Sequence, residues 1–263
     1  PRAAVAWSRH GRLRMMGKSE RPQLPRQMID FEGLVNCRDV GGLALQGSGV
    51  TRSGVLFRSE TPQLMTAADV ARAITEFGIG RVIDLRGTTM MGRAIGGSGP
   101  LGDEGRGVNI DFLELAGGMD KVEKSPEGLL VDLLGCGGPP YKAFLEQFVA
   151  TDAPVLVHCH TGKDRTGFVV ALTLALAGVG EEDIIADYEM SSPIFATMMA
   201  NLAAKGLGVP ADAPAYALHK PSSEGLRAMF ARLRSEWPSA EDWALSQGID
   251  AATIAAARRR LVN

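Results

Sequence analysis

The stretch that decides the fold reads Val155-Leu-Val-His-Cys-His-Thr-Gly-Lys-Asp-Arg-Thr-Gly167. Its apolar start predicts a short strand that ends at His158-Cys159, and the apolar residues after Arg165 predict a helix that begins at once. Cys159 and Arg165 therefore enclose a five-residue loop between a strand and a helix. Because the first N–H groups of a helix lack partners within it and the helix dipole is positive at that end, we expect this loop to bind a small anion.

The residue types of the loop favour phosphate as that anion. Arg165 carries a planar guanidinium that can bind two phosphate oxygens together, which a lysine cannot do. The same positive field favours the thiolate form of Cys159, which makes it the expected nucleophile and a thiophosphate the expected intermediate. The Thr166 hydroxyl is expected to donate a hydrogen bond to the departing sulfur. A buried structural cysteine is the alternative interpretation, and the register of Gly162, Arg165 and Thr166 disfavours it.

Two histidines border the nucleophile. His158 is interpreted mainly as a structural residue that holds the loop or the thiolate by hydrogen bonds, with a general base as the alternative. His160 is expected to bind phosphate through its backbone, while its side chain lines the pocket.

Two charged residues, Asp84 and Arg86, lie at the end of a predicted strand, Arg81–Leu85. Ligands of α/β sheets bind beyond the carboxyl ends of the strands, so we expect both residues to face the phosphate loop. The alternative is an ion pair that only pins a loop.

Further motifs complete a resemblance that covers about Phe31 to Asn263. They are Asn36-Cys-Arg-Asp-Val-Gly-Gly42, Leu56-Phe-Arg-Ser59, Asp84-Leu-Arg86, Gly167-Phe-Val-Val-Ala-Leu172, Asp187-Tyr188 and Gly248-Ile-Asp250. With H-C-x-x-G-K-D-R-T-G in the loop, the chain resembles the bacterial atypical tyrosine and dual-specificity phosphatases of the mycobacterial tyrosine phosphatase B type.

This resemblance implies an α/β cysteine-dependent phosphatase fold, with a mostly parallel twisted sheet flanked by helices and a helical lid at about 190–218. The alternative for that segment is an appended helix pair that only makes core contacts. It implies hydrolysis of phosphotyrosine, with phosphoserine, phosphothreonine and phosphoinositides as further substrates. Asp164 would be the general acid, with Asp84 as its competitor, and Lys163 would suit a multiply charged lipid headgroup. No metal or other cofactor is expected. Besides catalytic Cys159, Arg165 and Asp164, the expected substrate-binding residues are His160, Thr161, Gly162, Lys163, Thr166, Asp84 and Arg86.

The chain departs from the family pattern at several positions. Cys37 stands where the family usually has Phe, and Met90 stands near the place of a common Glu, which leaves Arg86 or Arg93 without that carboxylate. No W-P-D motif precedes the loop. Trp237-Pro238-Ser239 follows it, and we interpret that segment as a helix end before a capping box.

Length and composition fit one phosphatase domain over residues 28–263. The chain has 263 residues, of which 45% are hydrophobic, as expected for a globular domain with a core. Its net charge of −2 disfavours nonspecific nucleic-acid binding. Three cysteines without metal or disulfide spacing favour a reducing compartment. The longest apolar run, at 168–179, is shorter than the ~20 residues that cross a bilayer, so no stable membrane association is expected.

Residues 1–27 differ from the rest, with seven Lys or Arg, one Glu and no apolar segment of a secretory signal. We expect a disordered basic extension. The alternatives are an arm that touches anionic membrane, or translation assigned from too far upstream of Met28. The expected location is the cytoplasm, or export without a cleavable signal peptide. The oligomeric state is left open.

Strand and helix patterns alternate along the chain. Residues 87–138 are rich in glycine and poor in pattern, and there we expect one strand near Val108–Phe112 and long mobile loops. Another strand is predicted at Gly54–Arg58. Helices are predicted at 66–77, Tyr141–Val149, Glu181–Glu189, Pro193–Lys205, Pro221–Trp237 and Asp250–Leu261.

Three alternatives to a protein phosphatase stay open. An inositol-phosphate phosphatase would use the same loop. A rhodanese-like sulfurtransferase also places a cysteine loop at a sheet edge, but its loop is usually one residue shorter. A phosphate-binding pseudo-enzyme is disfavoured because Cys159, Arg165 and Thr166 are all intact.

Overall fold

The computed structural model describes residues 28–87, 99–103, 105–118, 125–213, 216–217 and 220–262. Three predictions lie wholly or partly outside these ranges. They are the disordered basic extension at 1–27, the altered surroundings of Met90 and Arg93, and the mobile loops expected at 88–98, 104 and 119–124.

A five-stranded sheet forms the centre of the described fold. The strands are β1 (Arg38–Asp39), β2 (Leu56–Ser59), β3 (Arg81–Asp84), β4 (Gly107–Asn109) and β5 (Val155–His158). Their order across the sheet is β1-β2-β5-β3-β4, with β1 antiparallel to β2 and the other neighbours parallel. The prediction of an α/β fold with a mostly parallel sheet flanked by helices is confirmed.

The register brings three strand ends to one edge of the sheet. Ser59 at the end of β2 and Asp84 at the end of β3 both pair with His158 at the end of β5. Since these strands run parallel, the residues that follow them meet at the same edge, which is where α/β sheets bind ligands. Cys159 is one of these residues.

Helices account for most of the remaining described structure. They are α1 (Ala67–Thr75), α2 (Gly99–Gly102), α3 (Phe112–Leu115), α4 (Pro126–Cys136), α5 (Gly138–Val149), α6 (Asp164–Ala177), α7 (Glu181–Glu189), α8 (Phe195–Ala204), α9 (Ser223–Glu236), α10 (Ala240–Ser246) and α11 (Ala251–Leu261), with a 3-10 turn at Pro62–Leu64. Thr66 and Asp69 form a capping box at the start of α1, within the helix predicted at 66–77. No helix in the described part of the chain is both long and apolar enough to cross a lipid bilayer.

The sheet separates two apolar clusters. Val155 and Val157 of β5 pack into the larger one, together with α4 to α7 and α9 to α11, whereas Leu156 packs with Phe57 and α1 on the other face. This alternation follows from the two-residue period of a strand. All residues of α6 from Thr166 to Leu174 are buried, so most of the apolar run at 168–179 forms a buried helix, as predicted.

Residues 87–138 contain the one strand predicted there, but its bounds are Gly107–Asn109 rather than Val108–Phe112, because Asp111 caps a new helix that begins at Phe112. The expectation of loops in the rest of this region is wrong in its described part. The segment expected to be loop contains α4 (Pro126–Cys136), which packs against α9. A helix whose apolar residues surround it, interrupted by glycines, shows little of the 3.6-residue period by which helices are predicted.

Candidate active site

The nucleophile candidate stands where the central strand ends. β5 stops at His158, Cys159 follows with its side chain buried, and α6 begins at Asp164. The strand–loop–helix arrangement predicted from the spacing is therefore present. The residue before α6, Lys163, makes no side-chain cap, so the first N–H groups of this helix are left for another acceptor.

Three consecutive carbonyls of the loop face outward. The His160 oxygen accepts from the Thr61 N–H at 2.9 Å, the Thr161 oxygen from Asn36 Nδ2 at 3.0 Å and the Gly162 oxygen from Arg58 NH2 at 2.8 Å.

The outward carbonyls determine where the N–H groups point. A trans peptide directs its C=O and the following N–H in opposite directions. The N–H groups that follow these three carbonyls, on residues 161 to 163, therefore face the concave side of the loop. Together with the start of α6, they form a row of donors suited to a multiply charged anion.

Glycine is required within this loop. Gly162 has a φ of +69°, in the left-handed region. A Cβ at this position would overlap the carbonyl oxygen of Ser59 and lie 2.7 Å from the backbone nitrogen of Glu60. The loop thus passes against the end of β2 with no room for a side chain.

Arg165 is held at the same edge of the sheet. Its NH1 donates to the Leu85 carbonyl at 3.1 Å, and Leu85 directly follows β3. Among the described contacts, a backbone carbonyl therefore orients Arg165.

Asp84 and Arg86 form a close ion pair beside the loop. Arg86 donates to Asp84 through Nε at 2.9 Å and NH2 at 2.7 Å. Burial raises the pKa of Asp84, but the positive charge that His158 carries when it is protonated, and then that of Arg86, outweigh burial and hold the pKa below its ordinary value. Asp84 is therefore ionised and paired with Arg86. This arrangement favours the interpretation that the pair only pins a loop.

His158 faces a backbone carbonyl. Its Nδ1 lies 2.9 Å from the Cys159 oxygen and 3.9 Å from Asp84 Oδ1. Because a carbonyl only accepts, Nδ1 carries the proton. Burial lowers the pKa of His158, although Asp84 opposes it, so the ring is neutral at pH 7. The geometry favours a structural role for His158 over a general base.

Lys163 and Asp164 form a pair at the entrance to α6. Lys163 is buried, and its Nζ donates to the Lys220 carbonyl at 2.9 Å and lies 3.2 Å from Asp164 Oδ1. Tyr188 is buried nearby, and burial followed by the Asp164 carboxylate raises its pKa well above the ordinary value. Its hydroxyl therefore stays protonated beside the candidate general acid. The sequence offered only the motif Asp187-Tyr188 as a signal for this residue.

Several charged residues without a role predicted from the sequence lie behind the loop. Asp187 accepts from Arg38 Nε at 2.8 Å and from Arg58 NH1 at 2.5 Å, and all three side chains are buried. Next to them, the Glu60 carboxylate accepts from the Val35 N–H at 2.8 Å, and burial raises the pKa of Glu60 to about 7. Charged residues within short apolar strands are the signal that could have found this network.

Comparison with known proteins identifies the family. The sequence model described as "Tyrosine phosphatase family" matches residues 29–263. The chain belongs to the tyrosine phosphatase family. It is therefore a phosphatase, and its described strand–loop–helix site lies within the matched region.

Three relatives agree with this membership. A Cupriavidus necator protein, itself named only provisionally as a tyrosine-protein phosphatase, is 30% identical over 233 residues, 83% of each chain. A tyrosine-protein phosphatase of Nostoc commune is 33% identical over 139 residues, 50% of this chain and 47% of the relative. The triple specificity protein phosphatase PtpB of Mycobacterium tuberculosis is 54% identical over 44 residues, 17% of this chain and 16% of that protein.

In this phosphatase, α8 forms an apolar cluster of its own, which Val35 and Leu64 join. Phe195, Met198, Met199 and Leu202 form the cluster. The sulfur of Met198 lies 3.9 Å from Asn36 Nδ2, the same amide that holds the Thr161 carbonyl. The placement is compatible with the expected lid at 190–218, which stays a prediction.

Among the residues that the structure describes, no group of three or more His, Cys, Asp or Glu side chains is arranged to hold a metal ion. The three cysteines are unbridged, with Cys37 and Cys159 buried.

Proposed function

We propose that this phosphatase hydrolyses phosphomonoesters through a cysteinyl-phosphate intermediate, with Cys159 as nucleophile, Arg165 as phosphate ligand and Asp164 as general acid. The observation that carries the proposal is the row of outward carbonyls between Cys159 and Arg165. Inward N–H groups and a guanidinium stabilise the charge that spreads over the transferring phosphoryl group.

In the first step, the Cys159 thiolate attacks phosphorus, an S–P bond forms, and the P–O bond to the leaving group breaks. Asp164 gives its proton to the leaving oxygen. In the second step, Asp164 as a carboxylate takes a proton from water, which attacks phosphorus and breaks the S–P bond. Free phosphate, the thiolate and protonated Asp164 result, so protons and charges balance over the cycle.

Thr166 has a place in the second step. Its hydroxyl is buried and has no hydrogen-bond partner among the described residues. A buried hydroxyl without a partner is costly, and a hydrogen bond to the departing Cys159 thiolate would offset that cost.

We propose phosphotyrosine as the main substrate, with phosphoserine, phosphothreonine and phosphoinositides as further substrates. Similarity to a relative named for triple specificity supports this breadth. Lys163 supports a phosphoinositide only if its ammonium exchanges the Lys220 carbonyl for a headgroup phosphate. Catalytic efficiencies over a panel of phosphopeptides, phosphoinositides and soluble inositol phosphates would rank these classes, and a preference for the last would favour the inositol-phosphate alternative.

The nucleophile assignment is tested by Cys159→Ser. We expect this variant to lose turnover of p-nitrophenyl phosphate but to keep binding inorganic phosphate, because Arg165 and the loop N–H groups remain. Undiminished turnover would refute the proposed intermediate. A wild-type enzyme that binds phosphate but turns over no phosphomonoester would support the pseudo-enzyme alternative, and sulfur transfer from thiosulfate would support the rhodanese-like one.

The general-acid assignment is tested by leaving-group dependence. An alkyl phosphate needs protonation of its leaving oxygen far more than p-nitrophenyl phosphate does. We therefore expect Asp164→Asn to slow hydrolysis of the alkyl ester much more than that of the nitrophenyl ester, whereas Asp84→Asn should slow both alike. The reverse pattern would transfer the role to Asp84.

A further inference from the structure

The outer side of the phosphate loop is held by two side chains from distant parts of the chain. Asn36 precedes β1 and donates to the Thr161 carbonyl at 3.0 Å. Arg58 belongs to β2 and donates to the Gly162 carbonyl at 2.8 Å. Neither bond involves a group that reaches the substrate side of the loop.

Each of these residues is itself fixed on its other side. Arg58 uses NH1 for Asp187 Oδ2 and NH2 for the loop, so one planar group joins both. The Asn36 oxygen accepts from Arg38 NH1 at 2.5 Å and from the Ser191 hydroxyl at 3.1 Å. That oxygen assignment leaves Nδ2 as the donor to the loop.

The triad of Arg38, Arg58 and Asp187 behind the loop is buried and positively charged. Burial, and then the neighbouring Arg38, lowers the pKa of Arg58 to about 10, although Asp187 opposes it, so Arg58 is still charged at neutral pH. Two arginines and one aspartate leave one net positive charge within this triad. Asp187 and the Gly162 carbonyl hold two of the three Arg58 nitrogens, whereas Arg58 Nε is buried without a hydrogen-bond partner among the described residues. The excess charge adds a positive field behind the site of anion binding.

We propose that Asn36 and Arg58 are positioning residues for the phosphorylated substrate, which by holding two loop carbonyls outward direct the following N–H groups into the anion site. This inference rests on the proposed function of the loop. Asp187 acts one step further back, because it orients Arg58.

Each of these loop carbonyls is rigidly coupled to the N–H group of the next residue. The Thr161 carbonyl shares a peptide plane with the Gly162 N–H, and the Gly162 carbonyl shares one with the Lys163 N–H. Loss of either outer hydrogen bond frees the plane to rotate, and the N–H then turns away from the anion. The phosphate site would lose preorganised donors although no residue that touches phosphate has changed.

Asn36→Asp is the sharpest test. The substitution keeps an oxygen for Arg38 and Ser191 but replaces the donor to Thr161 with an acceptor, which repels that carbonyl. We expect the inhibition constant of inorganic phosphate to rise at least about tenfold and kcat/KM for p-nitrophenyl phosphate to fall about 10- to 100-fold, somewhat less than for direct loss of an oxyanion donor.

Ser191→Ala is the matched control. Ser191 is buried in the same network and bonds to Asn36 but makes no described bond to the loop. We expect its phosphate inhibition constant to stay within about twofold of the wild-type value, since the donor to Thr161 remains. Equal weakening of phosphate binding in both variants would assign Asn36 a purely structural role and overturn the proposal.

A second variant, Arg58→Lys, keeps the charge but cannot contact Asp187 and Gly162 with one planar group. The rise in Tm that a fixed concentration of phosphate produces is compared between each variant and the wild type, because phosphate that binds the folded state raises Tm in step with its binding free energy. We expect a smaller increment for Arg58→Lys and for Asn36→Asp. Wild-type increments in both would overturn the positioning role while leaving the Cys159 mechanism intact. Turnover by Cys159→Ser would instead refute the mechanism itself.

Discussion

Gly162→Ala perturbs the loop at its point of closest approach to the sheet. Gly162 has a φ of +69°, and a Cβ there would meet backbone atoms of Ser59 and Glu60. Gly178, at the end of α6, has a φ of +91° but open space around a built Cβ. The two alanine variants therefore share backbone strain and differ in the overlap.

The magnitudes follow from this difference. A left-handed alanine costs about 1–2 kcal/mol, which is the expected loss for Gly178→Ala. Overpacking against backbone atoms adds about 1–3 kcal/mol, so Gly162→Ala should cost about 2–5 kcal/mol unless the loop moves. Since 1 kcal/mol corresponds to about 2–4 °C in a domain of this size, thermal unfolding resolves the two variants.

Activity is the decisive measurement. The overlap with backbone cannot be relieved by a side-chain rotation, so the loop must shift by a fraction of an ångström to about 1 Å, and misplacement on that scale costs about 100-fold in rate. We expect kcat/KM of Gly162→Ala for p-nitrophenyl phosphate to fall about 100-fold, while Gly178→Ala retains wild-type activity. If Gly162→Ala keeps kcat/KM within threefold of Gly178→Ala, the derived role of the loop geometry is wrong.

Three further predictions concern the surroundings of the loop. Burial raises the pKa of Glu60 from 4.5 to about 7, so the contribution of Glu60 to stability is complete below about pH 4.5 and is lost as the pH rises to about 7. In Glu60→Gln, urea unfolding at a series of pH values should show a smaller fall of the unfolding free energy over this window. A fall equal to that of the wild type would contradict the assignment. Gly167→Ala would place a Cβ 2.7 Å from the Tyr188 ring, and we expect thermal unfolding to show a destabilisation of about 1–3 kcal/mol. An unchanged stability would mean that α7 moves away from the new methyl group without cost. If the α8 cluster opens locally, Leu202→Ala should speed limited proteolysis within 190–218 at least about fivefold with little change in the main Tm. A lowered main Tm with unchanged proteolysis would instead make α8 part of the main core.

Local patterns predicted much of the fold because they concern neighbours in the chain. The capping pair Thr66 and Asp69 marks the start of α1. α4 escaped prediction because burial on several sides removes amphipathic periodicity. The end of β4 was misplaced because Asp111 caps the short helix that begins at Phe112, a competing signal within the same few residues.

The sequence by itself determined the loop between Cys159 and Arg165, its glycine and the buried helix behind it, since all of these follow from residue type and spacing within one stretch. Only the tertiary structure decided how that loop is held. Asn36 and Thr161 are separated by 125 positions, and Arg58 and Gly162 by 104. These contacts depend on β2 lying beside β5 in one register, and strand order is a property of the whole packed sheet that no local pattern encodes.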